Sequence, residues 1–363
     1  MRPRLKACLE GIQPYQPGKP VEELERELGI TGAIKLASNE NPVGPSPKAL
    51  AAARAVLSDV NRYPDAGCFR LGRRLAQSLG ASPDELVFGC GADEVLGLAA
   101  HAALGPGDEA VFAWPSFAMY PILVEAAGAT AVPVPLTAGH VHDLDAMAAA
   151  VSPRTRIVFV CNPNNPTGTS VGAEAFERFV ARLPEDVLLV VDEAYFEFAR
   201  RPDFPKALPF VRRRPGTMVV RTFSKIYGLA GLRVGYGVAD AETANLLHRA
   251  RHPFNVNVVA QAAALAAIED AEHVAKALAV NATGLEYLTR ELAALGIPTW
   301  QSETNFLLAK PGAGTHEALL REGVIVRPLG SFGMPEHVRI TIGLPEENER
   351  LVKTLRRLRE QPR

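Results

Sequence analysis

Cysteine is scarce and dispersed. Cys8, Cys68, Cys90 and Cys161 form no CxxC pair, and no histidine stands at metal-ligand spacing from them. This argues against a disulfide framework and a structural zinc, so no metal is expected and a reducing compartment is. Long apolar runs are also missing, since a charge, Pro or Gly interrupts each one before it reaches spanning length. The N-terminus carries charges but no apolar segment of the kind a secretory signal needs. Neither sign of charge dominates: 39 Lys and Arg face 40 Asp and Glu, a formal net charge of −1. That balance gives no reason to expect a nucleic-acid or anionic-membrane surface. Internal repeats and low-complexity tracts are absent, and the Ala clusters read as helix filler. What is present is ordinary for a soluble globular chain, with 47% hydrophobic and 22% charged residues. Its 363 residues suffice for about two domains with real cores. A cytoplasmic soluble protein is expected.

Along the chain, Pro14–Pro20 (PYQPGKP) reads as an extended, proline-stiffened arm, followed by a short charged helix that ends at Gly29. Lys35–Pro47, rich in Asn, Gly and Pro, reads as a structured loop, either a linker or a binding loop. From about residue 48 the pattern alternates. Helices are expected at 47–57 and 70–79, and short apolar strands at 86–88, 110–113, 157–160, 187–191 and 218–220, with helical stretches between most of them. Strands separated by helices imply βαβ crossovers and a mainly parallel sheet covered on both faces. After residue 257 come an Ala-rich helix (258–268) and a long helix through Leu295. Strands at 305–309, 324–327 and 338–342 and a helix at 315–322 then form a smaller α/β lobe. The arginine-rich tail, Arg350–Arg363, alternates with Leu and Val and reads as an amphipathic terminal helix. The expected organisation is an arm (1–45), a large domain (46–257) and a small C-terminal domain (258–363).

The polar motifs fall where strands end, which is where open α/β sheets bind ligands. Gly89–Glu94 (GCGADE) places small residues at a helix start, whose amides suit an anion. Cys161–Gly168 (CNPNNPTG) holds Asn165 between prolines. Asp192 follows five apolar residues, and a buried carboxylate needs a cation or donors. Met218–Val220 leads to Thr222, Ser224 and Lys225, with glycines at 228, 231, 235 and 237 and Arg233 among them. A lysine held at a buried strand end loses hydration, which lowers its pKa and frees the amine to attack a carbonyl. The hydroxyls and the arginine suit a phosphate. Taken alone, this stretch reads equally as a surface loop with a solvated Lys and Arg. Taken together, the motifs supply an amine for a Schiff base, an acid for a heterocyclic N–H⁺ and groups for a phenolic oxygen and a phosphate, the set pyridoxal phosphate requires.

GADE, NPNNPTG, DEAY and TFSKIYGLAGLRVGY, in this order, resemble the fold-type-I pyridoxal-phosphate aminotransferases. The flanking YQPGKP, LASNENP, NRYPD, SETNF and VRITIG narrow the resemblance to the histidinol-phosphate aminotransferases, from about Tyr15 to the last helix. The resemblance implies a large domain with a mainly parallel sheet between helices, plus a smaller C-terminal α/β domain. It implies Lys225 as the Schiff-base lysine and proton shuttle, Asp192 on the ring nitrogen, and Asn165 and Tyr195 on the ring's 3′-oxygen. Phe117 would stack on the ring, where many relatives carry Tyr. Ala92, Asp93, Ser224 and Arg233, with Thr222, would hold the phosphate. Tyr63 would reach that phosphate from a neighbouring subunit, which implies a homodimer. Arg339 would take the substrate carboxylate, and Arg327 and Tyr15 the far end of the substrate. Asn39 is a further substrate-binding candidate or else a structural turn residue. The implied reaction moves an amino group between histidinol phosphate and 2-oxoglutarate in histidine biosynthesis, with small-molecule substrates and no nucleic-acid or membrane partner. An aromatic amino acid aminotransferase is the alternative, and a threonine-phosphate decarboxylase, which shares the Lys, Asp and Asn set, a third reading.

Overall fold

The computed structural model describes residues 5–360, so the last three residues of the arginine-rich tail lie outside the described residues. Eleven strands are present among them: β1 (Ile34–Leu36), β2 (Leu86–Gly89), β3 (Glu109–Trp114), β4 (Thr130–Pro135), β5 (Thr155–Cys161), β6 (Leu188–Asp192), β7 (Thr217–Thr222), β8 (Gly235–Ala239), β9 (Phe306–Ala309), β10 (Val324–Pro328) and β11 (Val338–Thr341). Seven form one sheet in the order β2-β8-β7-β6-β5-β3-β4. Its pairings are parallel except that β8 is antiparallel to both neighbours.

The central strands are continuously apolar because both faces of the sheet are covered. Side chains alternate faces along a strand, so each strand feeds two cores. Ile157, Phe159, Val190, Met218 and Val220 pack with the helix Ala92–Ala103 on one side. Val158, Val160, Leu189, Val191 and Val219 pack with the helix Ala173–Arg182 on the other.

Three strands, β1, β4 and β8, were not expected from sequence. β4 is an edge strand in which only Val134 is buried, and it carries Pro133 and Pro135, so it lacks the apolar run of its neighbours. β8 is read as glycine-rich loop because it lacks large side chains. Its glycines are there for clearance: a Cβ on Gly237 would strike Met218, and one on Gly235 would strike the backbone nitrogen of Ala92. The segment 35–47, expected as loop throughout, begins as β1. The helix expected over 47–57 runs Pro47–Ala55, capped by Ser46 Oγ, and passes into a tight turn at Leu57–Asp59.

A second sheet has the order β1-β10-β11-β9. β1 pairs in parallel with β10, so a strand from the N-terminal segment closes the edge of the C-terminal sheet. Leu36 joins Leu307, Val326 and Ile340 in that core. The helix Val258–Ile268 packs through Ala260, Ala263 and Ala264 against Ala49, Leu71 and Leu75 of the helices Pro47–Ala55 and Phe69–Leu79. Among the described residues no helix is long and apolar enough to cross a membrane.

Candidate active site

The topology decides which loops meet. β5, β6 and β7 are parallel neighbours, so their carboxyl ends bring Asn165, Asp192 and Lys225 to one edge of the sheet. β2 runs the same way across the reversed β8. The helix start at Ala92 and the beginning of β8, with Arg233, therefore reach that edge too. From the opposite side come the end of β1 and the paired residues Arg327 and Arg339 of β10 and β11. Between them lies a cleft of about 800 Å³. Of the residues singled out from sequence, all but one line it: Tyr15, Asn39, Ala92, Asp93, Phe117, Asn165, Asp192, Tyr195, Thr222, Ser224, Lys225, Arg233, Arg327 and Arg339. Tyr63 does not. It is 83% exposed and stacks on Phe254, with ring centroids 4.7 Å apart.

Asp192 is 3% exposed and each of its oxygens has one protein donor. Tyr120 Oη donates to Oδ2 at 2.8 Å, and the Ala194 backbone N–H donates to Oδ1 at 3.1 Å. Burial pushes the carboxyl up to about 6, while these two donors pull the other way by favouring its ionised form. Behind it, Glu193 and Arg221 form a buried ion pair, with Nε at 2.8 Å and Nη2 at 2.7 Å from the same carboxylate oxygen. This pair ties the end of β6 to β7, the neighbouring strands that carry Asp192 and lead to Lys225.

Lys225 is partly exposed to the cleft as a residue, but its amine is surrounded by protein, and its hydrogen bond, to Ser38 O, is long at 3.3 Å. Burial lowers its pKa to about 8, and the Arg339 guanidinium adds to the effect, so a useful fraction is neutral near pH 7. Tyr195 lies beside it, the ring centroid 5.7 Å from Nζ. Burial pushes the Tyr195 phenol up, so it stays protonated at neutral pH.

On the far side of the cleft, Arg339 Nη1 donates to Asn165 Oδ1 at 2.6 Å and Nη2 to Ala37 O at 2.6 Å, while Nε is buried without a partner. Burial lowers this guanidinium to about 10, still charged at neutral pH. Arg327 is 8% exposed, with its guanidinium 5.7 Å from the Tyr15 ring centroid. Among the described residues no carboxylate lies within salt-bridge distance of Arg327, Arg339 or Arg233. Arg327 and Arg339 are buried, and Arg233 is exposed. Buried cations need anions, so the cleft is built for an anionic ligand.

The family model for aminotransferase class I and II matches residues 31–355. The chain belongs to this aminotransferase family. It is 47% identical to histidinol-phosphate aminotransferase 1 of Nitrosococcus oceani, the match covering 98% of this chain and 96% of that protein. It is 49% identical to histidinol-phosphate aminotransferase 2 of Pseudomonas aeruginosa, over 96% and 95%. Among solved structures, the histidinol-phosphate aminotransferase of Sinorhizobium meliloti in complex with pyridoxal-5′-phosphate superposes with a TM-score of 0.90 at 29% identity, covering 99% of each chain. The fold is the fold-type-I architecture expected from the motifs, and the cofactor of this aminotransferase is pyridoxal phosphate.

The residues present fit that cofactor. Gly91, at φ +81°, opens the helix Ala92–Ala103, and a Cβ there would strike Arg233. The bare backbone leaves the first amides of the helix, the Ser224 hydroxyl 3.3 Å from Arg233 Nη1, and that guanidinium around one small space suited to a phosphate. Thr222 Oγ1 accepts the Ser224 N–H at 3.0 Å and shapes the turn. Asp93 would contribute its backbone N–H at the helix start; burial raises its carboxyl and Arg233 opposes that rise.

Sequence reasoning missed Tyr120, Ser38, Cys161 and Leu96 in the aminotransferase cleft or its supports. Tyr120 lies in the stretch Trp114–Tyr120, from which sequence reasoning singles out only Phe117. The available signal was that a buried tyrosine hydroxyl requires a partner. Asn39 lines the cleft, but both ends of its amide are held by protein, at Tyr195 Oη (2.9 Å) and Thr341 Oγ1 (3.1 Å).

Proposed function

We propose that this aminotransferase moves an amino group between L-histidinol phosphate and 2-oxoglutarate, a step of L-histidine biosynthesis, as a cytoplasmic homodimer. The observation that carries the substrate assignment is the Arg327–Arg339 pair. The two are cross-strand partners, both buried and both lining the cleft, and among the described residues neither has a carboxylate within salt-bridge distance. Glutamate brings an α-carboxylate and a distal carboxylate, whereas histidinol phosphate brings a distal dianion and no carboxylate. Guanidinium suits each, because its planar fork matches carboxylate and phosphate oxygens alike. Arg339 then takes the α-carboxylate, and Arg327, with the Tyr15 hydroxyl, the distal anion. The names of the relatives support the same substrate.

Bound pyridoxal phosphate supplies a carbonyl for an amine and an electron-withdrawing ring. Lys225, with its lowered pKa, offers a neutral amine at physiological pH and then a base that moves a proton at the substrate's α-carbon. Asp192, held by Tyr120 and the Ala194 amide, keeps a proton on the ring nitrogen. Asn165 and Tyr195 hold the ring's 3′-oxygen, Phe117 covers a ring face, and the Ala92, Asp93, Thr222, Ser224 and Arg233 cradle anchors the phosphate. In this reading Tyr63, exposed in the single chain, completes the partner's cradle. The division into arm (1–45), large domain (46–257) and small domain (258–363) belongs to the same proposal, with Ile34–Leu36 and Val258–Ile268 as the segments that tie the parts together.

The test is the ratio of specificity constants for histidinol phosphate and phenylalanine as amino donors, wild type against Arg327→Ala. Loss of a charge-assisted pair costs about 2–4 kcal/mol for histidinol phosphate and far less for phenylalanine, which has no distal anion. An unchanged ratio moves the phosphate site elsewhere and favours an aromatic amino acid aminotransferase. Release of carbon dioxide in place of glutamate or 2-oxoglutarate turnover identifies a lyase.

A further inference from the structure

Three residues from distant parts of the chain form a hydrogen-bond relay beside the cleft: Thr341 at the end of β11, Asn39 just past β1, and Tyr195 after β6. Asn39 is 1% exposed and sits at φ +55°, a left-handed conformation that Asn tolerates better than most residues. Its carbonyl is fixed by Asn305 Nδ2 at 3.0 Å, so its place in the wall is determined from both sides. Thr341 Oγ1 accepts the Asn39 backbone N–H at 2.9 Å and donates its single proton to Asn39 Oδ1 at 3.1 Å. With Oδ1 turned to Thr341, Asn39 Nδ2 faces Tyr195 and donates to the phenol oxygen at 2.9 Å. The reversed amide would put an N–H₂ group on an Oγ1 that already accepts one N–H, and would leave the Thr341 proton unpaired in a buried site.

The relay therefore has a direction. Tyr195 Oη accepts from Asn39, so its own proton is not used on Asn39. Among the described residues that hydroxyl makes no other hydrogen bond, and Tyr195 lines the cleft. We propose that Thr341 and Asn39 are positioning residues that fix Tyr195 as a hydrogen-bond donor into the cleft, toward an oxygen anion of the bound group. The inference rests on the assignment of Tyr195 to the cofactor's phenolic oxygen. A donor there favours the phenolate over the phenol and lowers the pH at which the bound cofactor changes its absorption. A hydroxyl free to turn either way does so less. The three residues come from both sheets, so the direction of one proton depends on how the two parts of the molecule are assembled.

The experiment titrates the absorbance of the bound cofactor against pH and measures the equilibrium dissociation constant of pyridoxal phosphate, in five proteins. Tyr195→Phe sets the full effect, an upward shift of the titration midpoint by about one pH unit. Thr341→Val keeps the side-chain shape and removes the hydroxyl; it shifts the midpoint the same way by a smaller amount, and Thr341→Ser restores it. The double variant Thr341→Val with Tyr195→Phe titrates like Tyr195→Phe alone, because the effect of Thr341 passes through that phenol. Should Thr341→Val fail to fold, Asn39→Gly, which accepts the left-handed backbone and removes the amide, replaces it in the same comparison. An unshifted midpoint in Thr341→Val, or a shift that persists undiminished without the Tyr195 hydroxyl, overturns the inference. Failure of the wild-type protein to take up pyridoxal phosphate is a separate result, which sinks the functional reading and this inference with it.

Discussion

At the scale of single residues, this site works by placing ionisable groups where their ordinary protonation is disfavoured. Lys225 is the clearest case, since burial and the nearby Arg339 charge bring its amine to about 8 from 10.5. Trace acetylation of the apoprotein, followed by mass spectrometry, should find Lys225 reaching half its maximal labelling near pH 8. A midpoint near that of an exposed lysine would remove the basis for its role as a base at neutral pH. Asp192 is displaced in the opposite sense, from 3.8 to about 6. In the apoprotein the folded state therefore holds that proton longer than the unfolded chain does. The contribution of Asp192 to stability is then greatest below 3.8 and declines as pH rises to about 6. Melting curves of the apoprotein should carry this slope, and Asp192→Asn should flatten it. In the role proposed for Asp192 the same substitution removes the charge that would keep the ring nitrogen protonated, so turnover should fall by about 10²-fold or more while cofactor remains bound. Tyr120→Phe, which loses one of the two donors, should raise the Asp192 midpoint further and lower turnover by a lesser factor. Near-normal activity in Asp192→Asn would contradict the assigned role.

At the scale of elements, the strands are held in register partly by a polar pair inside the core. Glu193 and Arg221 are 1% and 7% exposed, and the Arg221 guanidinium also lies 3.7 Å over the Phe196 ring. Burial raises the Glu193 carboxyl and Arg221 opposes the rise, so neither group is comfortable without the other. Arg221→Ala should destabilise the fold by about 3–5 kcal/mol, because it strands a buried carboxylate. Paired replacement of Glu193 and Arg221 by Gln and Met should recover most of that loss, as read from chemical denaturation. A single-variant loss below about 1 kcal/mol, the size of an exposed pair, would show that the pair is solvated in solution.

At the scale of the whole molecule, the single chain leaves Tyr63, Phe69, Val60 and Leu57 exposed together with Phe254. The Tyr63–Phe254 stack stands outside the cleft, yet Tyr63 belongs to the motif NRYPD that accompanies cofactor phosphate binding in the proteins this chain resembles. The proposed homodimer would resolve the discrepancy by placing Tyr63 of each chain at the other's cradle. Sedimentation should give a dimer, and Tyr63→Phe should weaken pyridoxal phosphate binding without changing that mass. A fully active monomer would refute the arrangement.

The local patterns determined a good deal by themselves. Apolar runs bounded by helices were enough for a mainly parallel sheet, because a strand covered on both faces must be apolar on both. The motif residues were legible because ligands gather at strand ends, and each motif follows a strand or opens a helix there. Other features had no local signature. β8 carries glycines where strands usually carry bulk, since Gly235 and Gly237 face the helix start and Met218. β1 has only three residues, and its strand character exists through pairing with β10. The Asp192–Tyr120 bond and the Thr341–Asn39–Tyr195 relay join residues 72, 302 and 156 positions apart. Hydrogen-bond direction depends on which donor meets which acceptor in space, and only the tertiary structure brings those groups together.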